Sequence, residues 1–154
     1  MSTAQQIIKK LELQKHPEGG YYKRTYLQQE EYSSCIYYML ECSDKSHWHT
    51  ITTDELLFFQ CGAPLTAHVI SDGQLNTYTL GTNILAGEHG HLIVAANSIL
   101  AMSVRSNNPT DYTLLSCVVS PQFKFENFKL YNTQEILQLC PDIDNKILAE
   151  FAKD

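Results

Sequence analysis

From Tyr21 to Val119 the chain is interrupted again and again by turn-forming residues, and no run between two interruptions exceeds the length of a short strand. Tyr21 to Gln28, Ser33 to Leu40, Ser46 to Ile51, Glu55 to Cys61, Leu65 to Ile70, Leu75 to Leu80, His91 to Ala95, Leu100 to Val104 and Tyr112 to Val119 are rich in tyrosine, β-branched and large apolar residues. Between them stand Gln29-Glu30-Glu31, Ser71-Asp72-Gly73-Gln74, the loop Thr82 to Gly90 and Asn107-Asn108-Pro109. Asp-Gly suits the primed turns that join tight hairpins. Many short strands at such spacing cover their faces as a sandwich or a barrel.

The two ends read differently. Ala4, Ile7, Ile8 and Leu11 recur at helical spacing behind Ser2 and Thr3, which can cap the first turn. His16, before Pro17, is expected to cap that helix's last turn, and Glu18-Gly19-Gly20 to form a turn. Asn132 and Glu135 form a capping pair ahead of Ile136, Leu137 and Cys140, and Pro141 is expected to start a second helix bearing Ile143, Ile147, Leu148 and Phe151. No repeat or linker divides the chain. The expectation is one domain over residues 1–154: an all-β, double-stranded jelly roll with short helices at both termini, opening at one end into a cavity.

Composition narrows the function. At 154 residues and 44% hydrophobic, the chain can bury roughly two thirds of its unfolded surface in one core. A net charge of −6 with scattered basic residues argues against nucleic-acid or anionic-membrane partners, which need clustered Lys and Arg. No apolar run follows Met1 and none approaches the ~20 residues of a membrane span, so a cytoplasmic protein is expected. Cys35, Cys42, Cys61, Cys117 and Cys140 are odd in number and form no Cys-x-x-Cys pair, which speaks against a disulfide framework.

Chemistry concentrates in Ser46 to Gly62, SHWHTITTDELLFFQCG. If Ser46 to Ile51 is a regular strand, His47 and His49 share one face and Trp48 takes the other. Glu55, at the mouth of the next strand, can then swing beside them. Two imidazoles and a carboxylate can bind a first-row divalent ion or move protons. Arg24 and Arg105, in otherwise uncharged strands, suit an anionic ligand if they turn inward. His68 reads first as a hydrogen-bonded pocket or surface residue and second as a ligand contact. Trp48 and Phe58-Phe59 read as core.

The spacing His-x-His, then Glu, then six residues to Gly resembles the first motif of the cupin superfamily, with one residue more than usual between His49 and Glu55. HPEGGYY at His16 to Tyr22 and SPQFKFENFKL at Ser120 to Leu130 resemble a family of small single-domain cupins without an assigned reaction. The resemblance spans His16 to Tyr131. It implies a homodimer, and it places the second cupin motif on Ala95-Ala96-Asn97-Ser98-Ile99-Leu100, with Leu100 where a metal-binding cupin has histidine. His89 and His91 are the substitutes at hand.

Three readings follow. In the manner of the sugar-nucleotide epimerases among cupins, the chain is a small-molecule enzyme with no obligatory metal, with His49 as base, Glu55 as its orienter and Tyr37 or Tyr112 as acid. In a metal-dependent oxygenase or isomerase, His47, His49 and Glu55 hold Zn, Fe, Ni or Mn. In a non-catalytic module the cavity binds a ligand through His47, Arg24, Arg105 and His68. A small-molecule-binding cupin of undefined activity ranks first, with an isomerase or epimerase acting on a sugar or similar polar metabolite as its enzymatic form.

Overall fold

The computed structural model describes residues 3–153. Its strands in chain order are β1 (Gln14–Lys15), β2 (Tyr21–Leu27), β3 (Ser34–Glu41), β4 (Lys45–Ile51), β5 (Asp54–Gly62), β6 (Leu65–Ser71), β7 (Gln74–Leu80), β8 (His91–Val94), β9 (Ile99–Val104), β10 (Tyr112–Ser120) and β11 (Phe128–Leu130). They form a six-stranded sheet in the order β1-β2-β3-β10-β5-β8 and a five-stranded sheet in the order β11-β4-β9-β6-β7. Neighbours that are distant in sequence, such as β3 with β10 and β4 with β9, make the antiparallel jelly roll.

Alternation along the strands sorts the residues into three apolar layers. Leu100 and Met102 of β9 point between the sheets and join Leu40, Leu57, Leu65, Leu80 and Leu115 in the main core. Ile99 and Ala101 point the other way and, with Trp48, meet Ile136 of α2 (Thr133–Leu139), Cys140 at its C-cap, and Leu148 and Phe151 of α3 (Asn145–Phe151). On the far side of the molecule, α1 (Ala4–Leu11) lays Ala4, Ile7, Ile8 and Leu11 against Met39, Leu114, Tyr21, Tyr37 and Tyr112.

The helix ends differ in part from expectation. Thr3 caps α1 in a reciprocal pair with Gln6, while Ser2 lies outside the described residues. The helix stops at Leu11 because Glu12 turns left-handed (φ 55°), so His16 is four residues too late to cap it and follows β1 instead. Asn132 and Glu135 cap α2 as expected. The third helix starts at Asn145, not Pro141, because the Asp144 side chain accepts from the Lys146 and Ile147 amides and supplies a stronger N-cap. All five cysteines are free, and among the described residues no helix is long and apolar enough to cross a membrane.

Candidate functional site

Between the sheets lies a cavity with about 40 Å³ open to the centre of a water-sized sphere, room for a few waters or a very small polar molecule. Period-two alternation supplies its walls: Tyr22 and Arg24 from β2, Ile36 and Tyr38 from β3, Cys117 and Val119 from β10. His16, Glu18, His49 and Glu55 bring the titratable groups, and Phe123 and Phe125 stand on the segment between β10 and β11.

A bulge decides what β4 contributes. Ser46 pairs with Met102 and His49 with Leu100, so His47 and Trp48 together stand opposite the single residue Ala101. The extra residue lets Ser46 and His49, three apart, reach the same carboxylate, that of Glu18. His47 is turned out of the site, with Nδ1 3.2 Å from the Phe151 carbonyl. Trp48 is fully buried against Phe151, and its indole N–H donates to the Leu148 carbonyl at 3.4 Å. The expected shared face of His47 and His49 required an unbroken strand, and the bulge removes it.

Glu18 is held in place from several sides. Its carbonyl accepts from the His47 amide at 2.8 Å, the Gly19 carbonyl accepts from the Tyr38 hydroxyl at 2.8 Å, and the Pro17 carbonyl accepts from Lys153 Nζ at 2.6 Å. Gly19 lies at φ 112° so close to β4 that a Cβ would run into the Lys45 carbonyl, which leaves glycine as the residue that fits. The buried carboxylate then accepts from Ser46 Oγ at 3.0 Å on Oε1 and faces His49 Nε2 at 3.2 Å on Oε2.

The tautomer of His49 follows from its partners. Nδ1 lies 2.8 Å from the His47 carbonyl, which only accepts, so Nδ1 carries a proton. Nε2 lies 3.2 Å from Glu18 Oε2, so each ring nitrogen has a close partner within the protein.

Glu55 stands in contrast. Its partial exposure is to the cavity, and among the described residues it makes no hydrogen bond. Burial pushes its pKa up to about 7, a rise opposed by the charge of His49 and reinforced by that of Glu18. Burial likewise raises Tyr38 and Cys117 well above their ordinary values, so both are neutral, and it lowers His16.

The family model of the cupin superfamily (DUF985) matches residues 5–131. The chain belongs to this cupin family. The crystal structure of a protein from Shewanella oneidensis is 31% identical, with 99% of each chain covered and a TM-score of 0.91. A hypothetical protein from Leishmania major is 26% identical over 99% of this chain and all of that one, with a TM-score of 0.90. An oxalate decarboxylase from Lactobacillus farciminis, in a formate complex, shares the fold alone: 10% identity over 92% of this chain and 41% of that one, TM-score 0.57. A search of curated proteins found no match.

The ligand set expected for a metal in this cupin does not converge. His47 faces the C-terminal helix, both nitrogens of His49 are engaged, and Leu100 is buried in the core at the second-motif position. Among the described residues no three His, Cys, Asp or Glu side chains are arranged to hold an ion.

Of the other candidates, Arg24 lines the cavity at its exposed rim, with one long contact of 3.5 Å to the Phe123 carbonyl. Tyr37 lies on the opposite face of β3, against α1, and Tyr112 lies beside Cys61 at the far end of the sheet. Their neighbour in sequence, Tyr38, takes the inward position. Arg105 is exposed and donates to Thr79 Oγ1 at 3.2 Å. His68 lies against Trp48 and Phe151, with Nδ1 2.9 Å from Thr77 Oγ1, and burial lowers its pKa. His91 stacks on Phe58 and His89 meets Tyr78 edge-on, both away from the cavity. Sequence reasoning passed over Glu18 and Ser46 and gave His16 to a helix cap. A carboxylate immediately before Gly19-Gly20, inside the block that carried the family resemblance, was the available signal for the first.

Proposed function

We propose that the chain binds a small polar carbonyl or hydroxycarbonyl compound in this cavity and exchanges a proton with it through Glu55, an acid–base reaction of the isomerase or epimerase kind that requires no metal. The observation that carries the reading is Glu55 itself: a carboxyl without a hydrogen-bond partner among the described residues, facing the cavity, with a pKa near 7. A general acid–base catalyst works best when its pKa matches the operating pH. The Glu18–His49 pair stands beside it, with Oε2 and Nε2 3.2 Å apart and His49 lining the same cavity. His49 thus passes from base to partner of Glu18, and Glu55 from orienter to base.

The test is solvent exchange. Glycolaldehyde, glyceraldehyde and dihydroxyacetone incubated with the protein in D₂O are expected to gain carbon-bound deuterium, read by proton NMR, and Glu55→Gln is expected to abolish the gain. Binding of these compounds without any deuterium uptake would leave a ligand-binding module in place of an enzyme.

A further inference from the structure

His16 is buried in the cavity wall, and its chemistry is fixed by its contacts. The Glu18 backbone N–H donates to His16 Nδ1 at 3.2 Å, so the Nδ1 lone pair is occupied and the single ring proton of neutral imidazole sits on Nε2. Glu18 Oε2 is 3.5 Å from Nδ1, while that carboxylate is already engaged by Ser46 and His49. Tyr22 meets the His16 ring edge-on at 4.7 Å and Phe128 at 5.8 Å, and this burial holds the ring in its neutral form. Among the described residues Nε2–H has no hydrogen-bond acceptor. Because His16 lines the cavity, that donor is available to a molecule bound there.

We infer that His16 is the electrophile of this site, its Nε2–H donating to the carbonyl oxygen of the bound compound. The inference rests on the acid–base reading above and adds the substrate's polar anchor. When Glu55 takes the proton from the carbon beside the carbonyl, the C–H electron pair moves into the new C–C double bond and the carbonyl π pair moves onto oxygen. The neutral N–H is placed to stabilise that enolate oxygen. Return of the proton to the same carbon restores the starting carbonyl; where that carbon bears a hydroxyl, protonation of the other carbon moves the carbonyl as the hydroxyl proton passes to the first oxygen, so either course is redox-neutral and needs no co-reactant. A neutral imidazole suits this role because it donates without first surrendering a full proton to the enolate. The substrate class narrows to compounds whose acidic C–H adjoins a carbonyl, small enough to lie between His16 and Glu55.

Long-range ¹⁵N–¹H correlation spectra of the full chain at pH 7 are expected to show His16 as the neutral tautomer protonated on Nε2. A proton on Nδ1, or an imidazolium, would overturn the assignment. Glycolate, the probe for an oxygen at this position, is expected to shift the Nε2–H resonance downfield, and no shift at saturation would also overturn it. In the deuterium-exchange assay His16→Phe keeps the aromatic packing and is expected to lower kcat at least tenfold with little change in KM, while His16→Gln, which retains an N–H donor, restores part of the loss. Equal rates for all three proteins would refute the role. If the wild-type chain shows no exchange, the acid–base reading falls, and the tautomer and the glycolate shift still decide whether His16 is the anchor.

Discussion

Glu18 and Glu55 are two carboxyls in one small cavity, and their partners give them opposite properties. Glu18 is saturated with donors, so Glu18→Ala leaves the Ser46 hydroxyl and the His49 imidazole facing no acceptor. The expected cost is roughly 2–4 kcal/mol in urea unfolding. Glu55 is unpaired, and its effect on stability depends on pH. The unfolded chain releases this proton near the ordinary value of 4.5, whereas the folded chain keeps it until about pH 7. Between those values the folded state holds the extra proton, so stability falls as pH rises and is level above 7. Glu55→Gln should match the wild type at pH 4 and exceed it by about 3 kcal/mol at pH 8. Denaturant curves at the two pH values check this, and an equal difference at both would remove the raised pKa.

At the scale of elements, the bulge in β4 serves both faces of its sheet. It sends Ser46 and His49 to the Glu18 carboxylate while Trp48 anchors the C-terminal helices, so Trp48→Ala should cost about 3–5 kcal/mol, measured by thermal or chemical unfolding. Gly62 ends β5 at φ 102°, where a Cβ would run into the Tyr112 carbonyl. Gly62→Val should destabilise by about 2–4 kcal/mol, and an unchanged melting temperature would refute the clash. These strands were legible in the sequence because turn residues and tyrosine-rich, β-branched runs mark them directly. The bulge was not, since one additional residue carries no chemical mark and reverses the inward–outward count from His47 back. Glu18 escaped for another reason: it comes from a loop 31 residues before His49, and only the folded topology brings the two together.

For the whole molecule, the pairing registers draw a line across the outer face of the six-stranded sheet: Ile93, Leu56, Val118, Cys35 and Tyr26 are successive cross-strand neighbours on five strands. None is charged, and Ile93 and Tyr26 are exposed. We propose that a second copy of the chain covers this face, since an uncharged row meets its own two-fold copy without repulsion. Light scattering should give twice the chain mass, and Ile93→Lys should halve it while leaving the circular dichroism unchanged. The jelly roll itself was readable from strand count and family motifs, whereas this row needed the register, which no single strand encodes.

The tightness of the cavity also sets a clock. Phe123 and Phe125 stand among the residues that line about 40 Å³ of free space. We propose that a molecule of four or more heavy atoms enters as these rings swing aside, so that ring displacement, not diffusion, limits capture. In stopped-flow experiments the observed rate should level off as ligand concentration rises, and Phe125→Ala should raise the plateau.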